Sequence, residues 1–413
     1  MMKTPKSLRL HIGIVGRTNT GKSSFVNYVS GQDVAITSEV PGTTTDVVEK
    51  AMELQPLGPV VLLDTAGSDD HTELGKQRVE KSTRVLDRCD IVCMIVEAGV
   101  WTAYEQQLVE RIEDRKTPLV LIVNKTDLHS SNGSFLNLLS NYSRHILTCS
   151  SLNPARRESF MAAFKETLIG IAPTDYLQPP PLAEDLLPPG GHAVLIVPID
   201  MEAPKGRLIL PQVQSIRALL DAGAAASVVK EDGYADFLRR QSSAPDLVIC
   251  DSQVVDLMVR ETPRSIPVTT FSILFARYKG DLTRAAEGAG IINKLENGDK
   301  VLIAEACSHH PMEDDIGRKK IPAWIEAYTG RSIEWTVAAG KDYPEELEKY
   351  RLIIHCGGCM LNRRAMLNRI QQAERAAVPI TNYGLAIATA HGVGERVLEA
   401  FPAAKAAYLE GMR

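Results

Sequence analysis

The sequence has no apolar stretch that approaches the roughly 18 residues a membrane-spanning helix needs, so an integral membrane protein is not expected. Its first residues, Met1 to Lys6, are charged and contain proline, and they lack the apolar core of a secretory signal peptide. The sequence has only seven cysteines in 413 residues. A small and uneven number of cysteines argues against a disulfide framework and for reduced thiols. We therefore expect a cytoplasmic protein.

An excess of basic residues is also missing. Lys plus Arg totals 46 and Asp plus Glu totals 51, giving a net charge of -5 at pH 7. Because binding along a phosphate backbone favours a basic surface, nucleic acid is not an expected partner, although a local basic patch is compatible with this balance. The length and the 44% hydrophobic content suit two to four domains, each with its own core.

The first motif follows an apolar strand predicted over residues 8–15. The next eight residues read GRTNTGKS, which matches the phosphate loop G-x-x-x-x-G-K-[ST] in its required strand–loop–helix setting. Backbone N–H groups of such a loop approach phosphate oxygens, Lys22 reaches the β- and γ-phosphates, and the Ser23 hydroxyl binds Mg²⁺. The predicted nucleotide contacts here are Gly16, Arg17, Thr18, Asn19, Thr20, Gly21, Lys22, Ser23 and Ser24.

A second strand, predicted at residues 60–63, leads to groups for Mg²⁺ and the γ-phosphate. The Asp64 carboxylate is predicted to hold the water shell of Mg²⁺, and the Gly67 N–H to contact the γ-phosphate. Ser68 stands where Ras-like enzymes carry a water-orienting glutamine, so we expect slow intrinsic hydrolysis. Weaker candidates for assisting hydrolysis are Asp69, Asp70 and His71.

The loop at residues 41–46 supplies hydroxyls that would close over Mg²⁺ and the γ-phosphate. We predict Thr44 as the metal ligand, with Thr43 as the alternative. The catalytic groups predicted from these motifs are Lys22, Thr44 and Gly67, and the resemblance described below adds Asn19.

A third strand, at residues 119–123, ends in Asn124-Lys125-Thr126-Asp127. The Asp127 carboxylate can accept the two N–H groups on the edge of guanine, which adenine does not offer, so the sequence predicts GTP rather than ATP. Ser150 and Ser151, after a further short strand, are predicted to complete the base pocket. A plain loop is an equally good interpretation of these two serines.

The order and spacing of these motifs resemble the translation-factor-related small GTPases of the Era and MnmE type. Asn19 matches the position at which potassium-dependent members of that group carry an asparagine that helps to bind K⁺. The resemblance therefore implies a K⁺ ion near the β- and γ-phosphates, in the role an arginine finger has elsewhere. The alternative is that Asn19 simply tolerates the local backbone conformation.

Two short clusters near the C-terminus form a second candidate site. One follows an apolar strand predicted at residues 300–304 and the other a strand at 351–354. In an open parallel sheet the carboxyl ends of the strands share one edge, so we expect the clusters to meet and to bind a metal. A stray cysteine plus a redox or core pair is the alternative. The candidate ligands are Cys307, His309, His355, Cys356 and Cys359.

The chain is predicted to be α/β with three domains, a P-loop small-GTPase fold followed by two smaller α/β domains with mainly parallel sheets. The predicted bounds are 1–172 for the GTP-binding domain, 173–191 for a proline-rich linker, 192–264 for a small self-associating domain and 265–413 for the domain with the clusters. The remaining cysteines are interpreted as core thiols: Cys89, Cys93, Cys149 and Cys250.

This combination resembles the HydF family, the maturation GTPases of FeFe-hydrogenase. The resemblance covers nearly the whole chain, including residues 197–207 and 271–280. It implies that Cys307, Cys356 and Cys359 ligate a four-iron four-sulfur (4Fe-4S) cluster. It also implies a homodimer formed by the middle domain, and a function in assembling a two-iron subcluster and delivering it to apo FeFe-hydrogenase alongside two radical-SAM maturases.

Composition does not choose between metals, because a Cys₃His set suits tetrahedral zinc at least as well as iron. Three thiolates around a 4Fe-4S cluster would leave one iron with an exchangeable ligand, where a diiron unit can bind and later leave. We predict that ligand to be His309, His355 or water. The alternative functions are an RNA- or ribosome-associated GTPase and a zinc-stabilised GTPase adaptor.

Overall fold

A computed structural model describes residues 5–31, 47–65, 85–129, 133–199, 208–306, 315–340, 343–344 and 346–413. The chain divides into two compact units, a first unit Met1–Pro179 and a second unit Pro180–Arg413. Several predicted site residues lie outside the described residues, namely Thr43, Thr44, Gly67, Ser68, Asp69, Asp70, His71, Cys307 and His309.

The first unit is built on one six-stranded sheet. Its strands are β1 (Leu10–Val15), β2 (Val47–Leu54), β3 (Gly58–Thr65), β4 (Ile91–Glu97), β5 (Leu119–Asn124) and β6 (Ile146–Thr148). They lie in the order β2-β3-β1-β4-β5-β6. β2 runs antiparallel to β3 and all other pairs are parallel. The loops that follow β1, β3, β5 and β6 therefore leave the sheet at the same edge.

Helices cover both faces of this sheet. They are α1 (Lys22–Ser30), α2 (Ala103–Asp114), α3 (Gly133–Leu139), α4 (Arg157–Ile171) and the short α5 (Thr174–Leu177). On one face, Ile12 and Ile14 share a core with Phe25 of α1 and Phe164 of α4. On the other, the sheet packs against α2 through residues such as Leu108. Burial on both faces explains why the parallel strands are continuous apolar runs instead of alternating ones.

The second unit contains two four-stranded parallel sheets. The first has β7 (His192–Ile196), β8 (Ala225–Val229), β9 (Leu247–Cys250) and β10 (Val268–Thr270), and the second has β11 (Lys300–Ala304), β12 (Glu334–Ala338), β13 (Leu352–His355) and β14 (Ile380–Asn382). The strand orders are β10-β9-β7-β8 and β12-β11-β13-β14. In the second sheet, β11 and β13 are direct neighbours.

The helices of the second unit join its two sheets into one core. They are α6 (Leu210–Asp221), α7 (Tyr234–Arg240), α8 (Val255–Glu261), α9 (Phe271–Lys279), α10 (Leu282–Gly290), α11 (Ile321–Thr329), α12 (Arg363–Arg375), α13 (Tyr383–Ala390), α14 (Gly394–Val397) and α15 (Pro402–Met412). Leu195 of one sheet and Val301 of the other belong to the same buried cluster. α10 and α15 cross closely at glycines, since a Cβ on Gly411 would lie 2.2 Å from the Glu287 carbonyl oxygen.

The predicted α/β class with mainly parallel sheets is confirmed. The predicted domain bounds stay predictions, and two observations bear on them. The compact units divide at Pro179, inside the predicted linker. β10 lies beyond the predicted boundary at residue 264, yet it pairs with β9 of the middle sheet. A three-residue strand has too little periodicity to be assigned to a sheet from sequence.

Across the described ranges, no helix has the length and the apolar character needed to cross a membrane.

We predict that Phe164→Ala destabilises the first unit by about 3–5 kcal/mol, because it removes a buried ring and leaves a cavity. The Phe164 ring centroid lies 5.8 Å from that of Phe25, edge-on, and 5.7 Å from that of Phe160. Hydrogen exchange of β1 peptides in increasing urea reports the stability of this unit. Ile169→Ala on the same helix is the control, since this side chain is 38% exposed. Equal losses in the two variants would contradict the prediction.

Candidate functional site

The loop after β1 surrounds the ammonium group of Lys22. Its Nζ donates to the carbonyl oxygens of Gly16, at 2.9 Å, and Arg17, at 2.8 Å. Gly16 and Gly21 have φ values of 144° and 92°, which favour glycine. A Cβ on Gly21 would also come within 2.4 Å of the Asn124 side-chain nitrogen. The loop ends at the N-terminus of α1, where unpaired N–H groups and the helix dipole favour an anion.

Two oxygen groups predicted to serve Mg²⁺ lie in contact. The Ser23 hydroxyl donates to Asp64 Oδ2 at 3.0 Å. Burial raises the pKa of the Asp64 carboxyl, while the Ser23 hydrogen bond and the Lys22 charge act in the opposite direction. Asp64 Oδ1 is buried and has no hydrogen-bond partner among the described residues. A hydroxyl beside a carboxylate with an unsatisfied oxygen fits the hard-oxygen preference of Mg²⁺.

Asn124 connects the guanine motif to the phosphate loop. Its Nδ2 donates to the Thr20 carbonyl oxygen at 2.9 Å. Its Oδ1 accepts from the Ser151 amide at 3.1 Å and from the Ser151 hydroxyl at 2.9 Å. The buried Asn124 side chain therefore holds together the loops after β1, β5 and β6. Ser151 contacts this asparagine and thus borders the predicted base pocket.

Asp127 is placed to present a charged carboxylate at the surface. A hydrogen bond with Ser150 lowers the pKa of the Asp127 carboxyl, so that it is ionised at neutral pH. Lys125 has a left-handed φ of 59° and donates through Nζ to Glu97 Oε2 at 3.1 Å. The exposed carboxylate of Asp127 can therefore accept N–H donors from a base that lies over this edge of the sheet.

Glu105 is a buried carboxylate at the phosphate loop that the sequence reasoning missed. It is 1% exposed, and its Oε1 lies 3.3 Å from Arg17 Nε. Its Oε2 accepts the Thr102 amide at 2.9 Å, in the capping box that starts α2. The Thr102-x-x-Glu105 pattern signals a helix start, but it does not reveal that the carboxylate also pairs with the loop.

β11 and β13 bring Ala306, the last described residue before the first cluster, next to Cys356 of the second cluster. Ala304 lies opposite His355, and the Cys356 amide donates to the Ala304 carbonyl oxygen at 2.9 Å. The Ala306 amide donates to Cys356 Sγ at 3.1 Å. Ala306 is bonded to Cys307, the first residue of the other cluster. Amide N–H donation to sulfur is one way in which proteins tune thiolate metal ligands.

His355 is buried, with both ring nitrogens in hydrogen bonds. Arg369 Nη1 lies 2.8 Å from His355 Nε2, and a guanidinium can only donate, so Nε2 is the acceptor. Nδ1 therefore carries the proton and donates to the Cys356 carbonyl oxygen at 2.7 Å. Burial lowers the pKa of His355 to about 3, and the Arg369 charge adds to this effect. This arrangement leaves no lone pair for a metal and disfavours His355 as the fourth ligand.

The six cysteines in the described residues differ in their exposure to solvent. Cys356 is half-buried and Cys359 is exposed. The four thiols predicted to lie in cores are buried, and burial raises the pKa of each: Cys89, Cys93, Cys149 and Cys250. Within the described part of the chain, no group of three or more His, Cys, Asp or Glu side chains could hold a metal ion. That part does not include Cys307 or His309.

A buried lysine lies under the second cluster. Lys279, the last residue of α9, donates through Nζ to the carbonyl oxygens of Gly358 at 3.3 Å, Cys359 at 3.2 Å and Leu361 at 2.9 Å. Burial lowers the pKa of Lys279 to about 8, and the Cys359 and Cys356 thiols act in the opposite direction. The sequence reasoning missed this residue, because a single lysine near the end of a helix is usually solvated.

An ion pair joins the two ends of the segment at residues 307–314. Arg318 donates to both carboxylate oxygens of Glu305, at 3.1 and 2.7 Å. Glu305 is 2% exposed and directly precedes Ala306. On the other side, Asp315 Oδ1 accepts the Arg318 amide at 2.8 Å. This pair ties the entry and the exit of the segment that carries Cys307.

Three family models match the chain. Residues 11–125 match one described as 50S ribosome-binding GTPase. Residues 182–280 match the hydrogen maturase F dimerization domain, and residues 283–400 match the hydrogen maturase F tetramerization domain. The dimerization match includes β10 and α9, beyond the predicted boundary at residue 264. Sequence reasoning predicted a dimerization domain but no tetramerization domain.

Curated relatives include tRNA modification GTPases that match less than a third of this chain. The tRNA modification GTPase MnmE of a Synechococcus strain is 44% identical over 126 residues, which is 30% of this chain and 26% of that protein. MnmE of Lactobacillus helveticus is 41% identical over 123 residues, 29% of this chain and 26% of that protein. The chain thus spans about a quarter of the length of these relatives. A crystal structure of Aquifex aeolicus Era bound to GDP and AlF₄⁻ is 18% identical and covers 57% of this chain and 98% of that chain, with a TM-score of 0.34. That score is too low to support a structural argument.

We predict that Asp127→Asn weakens GTP binding about 10- to 100-fold, because a hydrogen bond to a charged acceptor contributes about 1.5–3 kcal/mol. The preference for GTP over ATP should fall by the same factor. Competition binding with a fluorescent guanine nucleotide measures both. Asp114→Asn, an exposed carboxylate at the end of α2, is the control and should retain both properties. Unchanged selectivity in Asp127→Asn would place the base elsewhere.

Proposed function

The chain belongs to the hydrogen maturase F family, and we propose that it is a GTP-hydrolysing iron–sulfur scaffold and carrier that delivers the two-iron subcluster to apo FeFe-hydrogenase. The two radical-SAM maturases of that pathway are its proposed upstream partners, and the proposed assembly is a homo-oligomer. One observation carries the metal-binding half of the proposal. Ala306, the residue before Cys307, donates its amide N–H to Cys356 Sγ.

In the nucleotide site, Lys22 is proposed to exchange its loop carbonyl partners for β- and γ-phosphate oxygens. Ser23 and Asp64 are proposed to hold Mg²⁺, the serine directly and the carboxylate through water. Asp127 is proposed to accept the N–H donors of guanine. Thr44, or alternatively Thr43, is the proposed second Mg²⁺ ligand, and Gly67 the γ-phosphate contact. GTP hydrolysis is then proposed to act as a switch that controls the binding or release of partners.

Asn19 is proposed to bind K⁺ beside the phosphates. It has a φ of 65°, a left-handed conformation that asparagine tolerates better than most residues. That property alone would satisfy the alternative interpretation, in which Asn19 serves only the backbone. Glycine adopts the same conformation without a carboxamide, so it separates the two roles.

We predict that K⁺ accelerates GTP hydrolysis relative to Na⁺ in the native chain, and that Asn19→Gly lowers this acceleration at least about tenfold by removing one ion–dipole ligand, worth about 1.4 kcal/mol in the barrier. Phosphate release under matched ionic strength measures the rates. Binding of Mg²⁺ and GTP should persist in the variant. If Asn19→Gly keeps the full K⁺ effect, Asn19 has only the backbone role.

In the second unit, Cys307, Cys356 and Cys359 are the proposed ligands of a 4Fe-4S cluster. Such a cluster supplies an iron with an exchangeable coordination position when three thiolates bind it. The parallel pairing of β11 and β13 supports this ligand set, because the strands that precede the two clusters end at one edge of the sheet. His355 is proposed to orient the ligand loop through Cys356, and His309 remains the proposed protein candidate for the fourth position, with water as the other.

We predict that Cys307→Ser, Cys356→Ser and Cys359→Ser each lose most of the iron taken up on anaerobic reconstitution and the EPR signal of the reduced cluster. Each should also fail to activate apo-hydrogenase when supplied with a diiron precursor. The reason is that a thiolate binds iron far better than an alkoxyl group.

The matched control for these substitutions is Cys250→Ala, which removes a buried thiol of β9 in the same unit. It should retain iron and the EPR signal. Tight, stoichiometric zinc without any cluster signal in the native chain would contradict the proposal and leave a zinc-stabilised GTPase adaptor.

A further inference from the structure

The ligand loop, defined as residues 356–361, is tied to the end of α9 in both directions. Lys279 donates to three carbonyl oxygens of the loop, at 2.9 to 3.3 Å. In return, Arg363 at the start of α12 donates to the carbonyl oxygens of Tyr278 at 2.8 Å and Gly280 at 3.2 Å. These five bonds fix where the loop lies relative to α9.

The three acceptors also define the charge of Lys279. An ammonium group has three N–H donors, one for each carbonyl oxygen, whereas a neutral amine has two. The Phe275 ring adds a cation–π contact, with Nζ 5.7 Å from its centroid. The geometry is therefore that of a bound cation.

No carboxylate among the described residues lies within ion-pair distance of Lys279. A buried ammonium without a counter-ion is costly, even when carbonyl dipoles solvate it. Its neighbours with ionisable groups are the thiols of Cys356 and Cys359. The charge is thus placed where negative charge arrives when these thiols become metal ligands.

We propose that Lys279 is a positioning residue that holds the ligand loop in shape and raises the reduction potential of the cluster that the loop binds. A fixed positive charge favours the more negative, reduced state of a cluster and so raises its potential. The three hydrogen bonds to the loop reduce its freedom before any metal binds. The inference rests on the proposed function, since a potential presupposes a cluster.

The test compares Lys279→Met, Lys279→Arg and Lys300→Met in the full chain. Lys279→Met removes the donors and the charge with little change of volume. Lys279→Arg keeps a cation but replaces three point-like donors by a planar fork. Lys300→Met is the matched control, because it removes the same charge from an exposed position at the start of β11.

The first measurement needs no metal. Hydrogen exchange of peptides covering residues 356–361 in the metal-free chain should be at least tenfold faster in Lys279→Met than in the native chain. Peptides of β7 in the same unit report correct folding and should be unchanged. Lys300→Met should match the native chain. Native-like exchange of the loop in Lys279→Met overturns the positioning role.

The second measurement is an EPR-monitored redox titration of the reconstituted protein. At a fixed potential the ratio of reduced to oxidised cluster should fall at least tenfold in Lys279→Met, which corresponds to 59 mV for a one-electron couple. Lys279→Arg should stay within about threefold of the native ratio. An unchanged ratio in Lys279→Met, or an equal fall in Lys300→Met or Lys279→Arg, overturns the electrostatic role.

The two measurements separate this inference from the proposed function. If the native chain assembles no cluster, the proposed function fails and the electrostatic role fails with it, while hydrogen exchange still decides whether Lys279 holds the loop. If the native cluster forms and both measurements are native-like in Lys279→Met, only the inference fails. If Lys279→Met does not fold, Lys279→Arg decides. Faster hydrogen exchange of the loop together with a native-like ratio of reduced to oxidised cluster supports both roles. Native-like exchange of the loop overturns the positioning role, and a tenfold lower ratio overturns the electrostatic role.

Discussion

The parallel pairing of β11 with β13 is the constraint on which the proposed metal site of this protein depends. Because Ala304 lies opposite His355 in a parallel register, the chain leaves both strands at the same edge and at nearly the same height. The Ala306 amide and the Cys356 sulfur then meet at 3.1 Å. A register shifted by one residue would turn the Cys356 side chain to the other face of the sheet and break this contact. The position of Cys356, one of the proposed ligands, therefore depends on sheet register, although it lies just beyond the end of β13.

The nucleotide site follows the same geometric rule, but buried polar groups hold it together. Parallel strands bring the ends of β1, β3, β5 and β6 to one edge. Asn124 then uses both ends of its carboxamide, donating to Thr20 and accepting from Ser151. A buried amide that is fully satisfied fixes the spacing between the phosphate end and the base end of the site. Glu105 serves the same purpose from α2, through Arg17.

Sequence reasoning is strongest where the chemistry is encoded in adjacent residues. The phosphate loop, Asp64, the guanine motif and the apolar strands before the cysteine clusters are local patterns, and their meeting at strand ends follows from a general rule for parallel sheets. Residues whose role depends on tertiary placement were missed, or their role stayed open among alternatives. Lys279 is buried at the end of α9, where its ammonium group contacts the loop at 356–361. His355 was one of three alternatives for the fourth ligand, and the hydrogen bond that its Nε2 accepts from Arg369 of α12 argues for the other two. The pairing of β10 with β9 likewise is not visible in the three residues of β10 themselves.

The distribution of these groups between the two compact units bears on what GTP hydrolysis does. Among the described residues, every nucleotide-site group belongs to the first unit and every cluster-site group, including Lys279 and Arg369, belongs to the second. No single unit therefore holds both the phosphate chemistry and the sulfur ligands. In the proposed scaffold, the thiolates of the second unit would bind metal without any transfer of phosphate. Hydrolysis is then best understood as a change of state in the first unit that alters which partners the chain binds.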